Sequence, residues 1–208
     1  MIKELLHVDG PVIGLLDKLG QLIVLSVLWL LGCVPLVTIG TSTAALYYAV
    51  IKAVRRGRGS ASREFFRSYR ANLGRGICVS VICLLLTAFL LFLMGQERHW
   101  LGQPAFLGLV LTLLVGVFLA PVLSRFSVGV GRVWKLALLM AFRFPHYALL
   151  LLVGGGLLGL LQIFVLPMPV VLILPGAACW LATFPLERVL RSFMPEKEEN
   201  DNAWYYEN

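Results

Sequence analysis

"VPLVTIGTSTAALYY", Val34 to Tyr48, is the stretch on which the reading of this chain turns. It closes one apolar run and opens another, and between them Pro35 and Gly40 interrupt any continuous helix. Four hydroxyl residues, Thr38, Thr41, Ser42 and Thr43, lie within six positions. As a structural joint, the stretch ends a span, caps a new helix at Ala44 through Thr41, Ser42 or Thr43, and anchors it near the interface with Tyr47 and Tyr48. As a ligand site, the same break turns a helix N-terminus and its hydroxyls toward a polar or anionic molecule inside the membrane. The joint is the simpler reading. The site reading keeps Pro35, Thr38, Gly40, Thr41, Ser42 and Thr43 as its candidates.

Outward from this stretch the chain is apolar almost throughout. Of 208 residues 59% are hydrophobic, and mean hydropathy is +0.87. That exceeds what one soluble core hides, so the sequence predicts an integral membrane protein. Apolar runs approach the ~20 residues a helix needs to cross ~30 Å of hydrocarbon. They place five spans, at Leu19–Ile39, Ile77–Met94, Ala105–Leu123, Tyr147–Leu166 and Met168–Leu186. The alternating pattern of a membrane β-barrel is missing, which makes the spans helical.

The net charge of +7 follows the loops rather than forming a nucleic-acid patch. Of 18 Lys and Arg, eight lie between Lys52 and Arg75, four between Arg125 and Arg143 and three after the fifth span, against three on the opposite side. The positive-inside rule then puts the N-terminus outside and the C-terminus in the cytoplasm.

The two basic loops read as amphipathic cytoplasmic elements. In the first, Ala44–Val54 and Ser62–Leu73 flank "RRGRGS", a turn. Phe65, Phe66, Tyr69 and Leu73 form one face of the second piece and Arg63, Arg67 and Arg70 the other, as in an interfacial helix whose arginines meet anionic lipid headgroups. "GRVWKLALLMAFRFPH" repeats the design with Arg132 and Lys135 as headgroup contacts, and Pro145 stops or kinks it. In the fourth span Gly155 and Gly159 make a small-xxx-small pair suited to close helix approach, and Gln162 reads as helix glue or a polar ligand contact. "LPMP" joins the last two spans as a hairpin.

"LWLLGCVPLVTIGTSTAALYYAVIKAVRR" followed by "FFRSYRANL" resembles the N-terminal signature of the YesL family of bacterial membrane proteins. "FLAPVLSRF", "LALLMAFRFPH" and "FPLERVL" resemble its weaker downstream pattern. The resemblance implies about five spans and a place in a bacterial plasma membrane, often alongside carbohydrate ABC-transporter components. It brings no catalytic residues.

An enzyme needs a nucleophile with its base, a metal shell or paired acids. His7, His99 and His146 are widely separated, and Cys33, Cys78, Cys83 and Cys179 show no metal-ligand spacing. By the boundaries above, no span carries an ionisable residue at its middle, unlike an ion-coupled transporter. The sequence thus predicts an all-α membrane protein with no enzymatic activity, cofactor or metal. Residues 1–194 form a single transmembrane domain, and residues 195–208 form an acidic, aromatic tail of net charge −4 that could dock on the basic face. The leading functional expectation is an accessory or regulatory protein associated with carbohydrate uptake. Its partners would be the bilayer, a second copy of the chain or an ABC-transporter permease. The alternative is a small transporter or binder of a neutral solute or lipid.

Overall fold

The computed structural model describes residues 11–96, 99–126, 128–164 and 173–193, and every regular element within them is helical. In chain order these are α1 (Pro11–Cys33), a 3-10 turn (Leu36–Thr38), α2 (Ile39–Ala49) with a π-helical continuation (Val50–Arg55), α3 (Ala61–Met94), α4 (His99–Arg125), α5 (Val130–Arg143), α6 (Pro145–Phe164) and α7 (Leu174–Arg191). Four stretches are long and apolar enough to cross a bilayer: α1, α2 with its continuation, α3 and α4. The pair α5–α6, bent by 94°, meets the same test jointly. The protein is an all-α, multi-pass membrane protein.

The first span ends at Cys33 rather than Ile39, because Pro35 cannot continue the helix and leaves an extended link. The chain then folds back as a hairpin. Trp29 Nε1 donates to Thr43 Oγ1 at 3.2 Å, and Leu22 and Leu25 pack with Ala49, Val50, Ala53 and Val54. The hairpin tip, Val34 to Val37, is exposed and apolar.

The surface helix expected over Ala44–Val54 is instead the most enclosed stretch among the described residues, with Ala44, Ala45, Ala49, Val50 and Ile51 fully covered. Its hydropathy is lower than that of α3 or α4 because small residues, which pack against other helices, replace many of the large apolar ones. The expected caps also lie elsewhere. Helix α2 begins at Ile39, so Thr41, Ser42 and Thr43 are inside it, and its N-cap residue Thr38 makes no capping bond. The cap comes from a neighbouring helix: buried Ser80 accepts the Gly40 N–H at 2.8 Å and donates to its own Gly76 carbonyl at 2.9 Å. Ser26 repeats the device, accepting from Gly176 N–H in the first turn of α7 at 2.8 Å and donating to Leu22 O at 2.8 Å. Each satisfies a backbone donor that a helix start leaves unpaired.

The separate interfacial helix over Ser62–Leu73 is absorbed into α3, one helix of 34 residues. Residues 74–76, which lie between the expected surface helix and the expected span, are helical as well. The two phenylalanines also part company. Phe65 is buried against α1 and α2, while exposed Phe66 shares a shallow depression with Arg63, Arg67 and Arg70. Other punctuation reads as expected. "RRGRGS" is a turn with Gly57 and Gly59 at positive φ, and the 94° bend falls at Phe144–Pro145.

Gly155 and Gly159 meet no neighbouring helix closely among the described residues. Among the described residues, nothing lies within 4 Å of a Cβ built on either. The close contacts lie at Gly76, where a Cβ would stand 2.9 Å from Thr41 Cα, and at Gly176, where it would stand 2.7 Å from the Leu22 carbonyl oxygen. Helices α6 and α7 pack together, and their "LPMP" connection lies outside the described residues, as does the tail from Met194.

Candidate functional site

From Lys18 to Phe193 the chain contains three carboxylates, Glu64, Glu97 and Glu187. Glu64 and Glu187 are both buried and ion-paired. Burying a charge in a low-dielectric interior costs several kcal/mol unless partners and hydrogen bonds compensate it. These two groups therefore mark where the fold concentrates its polar chemistry.

Glu64, in the first turn of α3, accepts from Lys52 Nζ at 2.8 Å, and Lys52 also donates to Tyr48 Oη at 3.3 Å. Gly59, at φ +81°, lets the preceding turn pass this carboxylate, since a Cβ there would stand 2.9 Å from Glu64 Oε1. Glu187, on α7, gathers three elements. It accepts a charge-assisted bond from Arg125 Nη2 and a bond from Tyr47 Oη at 3.3 Å, and Arg56 Nη2 stands 4.0 Å away. Burial, and then the nearby Arg125, pull the Arg56 guanidinium below its ordinary range, while Glu187 opposes them. Arg55, the residue before it, lies over the Phe184 ring at 4.6 Å.

Prolines explain why sequence reading missed this knot. The spans expected to end at Leu123 and Leu186, each just after a proline, run on: α4 and α7 pass through Pro121 and Pro185 to Arg125 and Arg191. The extra turns carry Arg125 and Glu187. The recurrence of "APVLSRF" and "FPLERVL", with opposite charges just after a proline, was the available signal.

Beside the knot lies a cavity of about 570 Å³ between α1, α2, α4, α6 and α7. Its walls are overwhelmingly apolar, among them Leu46, Leu150, Leu158, Ala182 and Leu186. Tyr47 belongs to both cavity and knot. Thr43, which donates to Ile39 O at 2.8 Å and accepts from Trp29, also lines it, as do Trp29 itself and Cys179. Because proline has no N–H, Pro121 and Pro185 also remove the usual helical donors to the carbonyls of Val117 and Leu181. All four residues line the cavity.

Of the residues expected at the helix break, only Thr43 reaches this cavity. Thr38 closes the hairpin tip, its Oγ1 lying 2.7 Å from both the Gly32 and Pro35 carbonyl oxygens. Thr41 packs on Gly76 and Ser42 on Gly32, while Gly40 contacts Ser80 and Pro35 is exposed at the tip. Gln162 lies in α6, and its side chain is outside the described residues. Arg63, Arg67 and Arg70 are exposed on α3, and Arg132 and Lys135 on α5. Among the described residues there is no group of three or more His, Cys, Asp or Glu arranged to hold a metal.

The fold and this site define a multi-pass helical membrane protein with a buried ionic knot next to an apolar chamber. A family model described as "Protein of unknown function, DUF624" matches residues 22–93, about a third of the chain. The match takes in the second half of α1, all of α2 and nearly all of α3. No curated protein and no solved structure matches the chain.

Proposed function

We propose that this protein is a bacterial plasma-membrane protein of the YesL type that acts by binding, holding an apolar or amphiphilic molecule in the chamber beside Tyr47 and Glu187. The supporting observation is the chamber itself: its ~570 Å³ falls within the ~300–1,000 Å³ typical of ligand pockets, and it has the usual ratio of many apolar walls to few polar groups. The carbonyls of Val117 and Leu181 favour a ligand with a hydroxyl or amide donor on a hydrocarbon body. In this reading the basic face and the knot lie at the cytoplasmic side, by the positive-inside argument.

The test fills the chamber. Gly155 lines it, and a Cβ there meets nothing within 4 Å among the described residues, so Gly155→Leu adds bulk without a backbone clash. Native mass spectrometry after mild detergent extraction is expected to find a small apolar molecule on the parent protein and to lose it from Gly155→Leu. Leu157→Phe, on the exposed side of α6, is expected to retain it. Identical occupancy in all three proteins overturns the reading. An empty chamber in a protein that co-purifies with an ABC-transporter permease would return the function to the accessory role in carbohydrate uptake.

A further inference from the structure

The end of α4, the polar half of α3 and Tyr48 of α2 border a second, smaller and partly open cavity of about 180 Å³. We propose that it is a binding site for a phosphate-class oxyanion, carried by a lipid headgroup or by a free phosphate. Arg67, Arg75 and Arg125 line it, and among the described residues no carboxylate does. Ser68, Asn72 and Ser124 add hydroxyl and amide groups. The volume is well below the ~300 Å³ lower end for drug-sized ligands, which suits a compact head and not a chain.

The guanidiniums are not equivalent. Arg125 shares Glu187. Arg75 is held by neutral acceptors, with Nη2 donating to Asn72 Oδ1 at 2.9 Å and Nη1 to the Val128 carbonyl at 3.3 Å. Asn72 is itself buried and fixed by donating to Ser68 O at 3.1 Å. The fork of Arg75 is thereby oriented while its charge is left uncancelled. Among the described residues neither Arg75 nor exposed Arg67 has a carboxylate partner. Planar guanidiniums set around several oxygens recognise phosphate by paired, charge-assisted hydrogen bonds. The position fits as well: Arg75 stands two residues before Ile77, where α3 turns apolar, and Leu123–Phe126 close the apolar run of α4. That is headgroup depth in a bilayer.

The experiment uses the full chain in nanodiscs of phosphatidylcholine, with or without phosphatidylglycerol. Calorimetric titration with inorganic phosphate in pure phosphatidylcholine probes a free anion. Native mass spectrometry from the mixed discs probes retention of phosphatidylglycerol. Arg67→Gln and Arg75→Gln are expected to weaken whichever binding the parent shows by about tenfold, the loss of one charge-assisted contact. Arg63→Gln removes the same charge from the same helix outside the cavity and is expected to change it less than about twofold. Phosphate binding in pure phosphatidylcholine assigns the site to a free anion; phosphatidylglycerol retention alone assigns it to a lipid. No binding of either probe, or an Arg63→Gln effect equal to that of Arg67→Gln, overturns the proposal. Should Arg75→Gln fail to fold, exposed Arg67 decides the result by itself. The chamber variant Gly155→Leu is expected to leave phosphate binding in pure phosphatidylcholine and the effect of Arg67→Gln unchanged, so this site stands or falls independently of the larger chamber.

Discussion

On the side of the α1–α2 hairpin, glycine lies where helices touch: Gly76 meets the Thr41 backbone and Gly176 the Leu22 carbonyl. On α6, Gly154, Gly155, Gly156 and Gly159 meet nothing within 4 Å among the described residues. The same residue type thus tightens one flank and leaves space in the other. Where the chain needs a defined geometry, it combines glycine with a buried serine that caps the next helix, and adds an ionic tie. Where it needs an unfilled volume, it uses glycine and supplies no opposing contact. Small-residue spacing alone does not distinguish the two uses; the partner helix does.

The most severe way to break the contrast is at the knot. Glu187→Ala leaves Arg125 and Arg56 without that carboxylate in a buried site, and a loss of about 3–5 kcal/mol is expected in denaturant unfolding followed by tryptophan fluorescence. Next comes Gly76→Ala, which forces α3 off α2 and is expected to cost about 1–3 kcal/mol by the same measurement. Ser26→Ala, which strips the Gly176 N–H of its acceptor, is expected to cost about 1–2 kcal/mol. Gly156→Ala, the same exchange as at Gly76 but on the open flank, is expected to cost nothing and to gain up to about 1 kcal/mol from helix propensity. Equal effects of the two glycine-to-alanine exchanges would erase the distinction between the flanks.

What was legible in the sequence is what lipid contact and local chemistry write there. The apolar runs of α3 and α4, the break at Pro35, the glycine turn after Arg55 and the bend at Pro145 all follow from residues near in sequence. Helix α2 was misread because hydropathy measures suitability for lipid. A helix surrounded by other helices uses Ala, Gly, Ser and Thr to approach them, and so resembles an interfacial segment. The knot was missed because its members, Tyr47, Arg56, Arg125 and Glu187, are up to 140 residues apart and two of them lie just beyond prolines that normally mark helix ends. Gly155 was noticed for the wrong reason: its spacing suggested contact, and its place in the fold gives clearance.

The hairpin tip carries a consequence for the surrounding membrane. Gly40, in the first turn of α2 just past the tip, meets Ser80, while α3 continues through another fourteen residues to Met94, roughly 20 Å of helix. Lipid around this small protein therefore encounters two hydrophobic heights, a tall one along α3 and α4 and a short one at the exposed apolar tip. A bilayer meets such a step by thinning locally or by tilting the protein, each at a fraction of a kcal/mol per Å of mismatch. Bilayer thickness thus becomes a variable to which the hairpin, and the knot tied to its second helix, are physically connected.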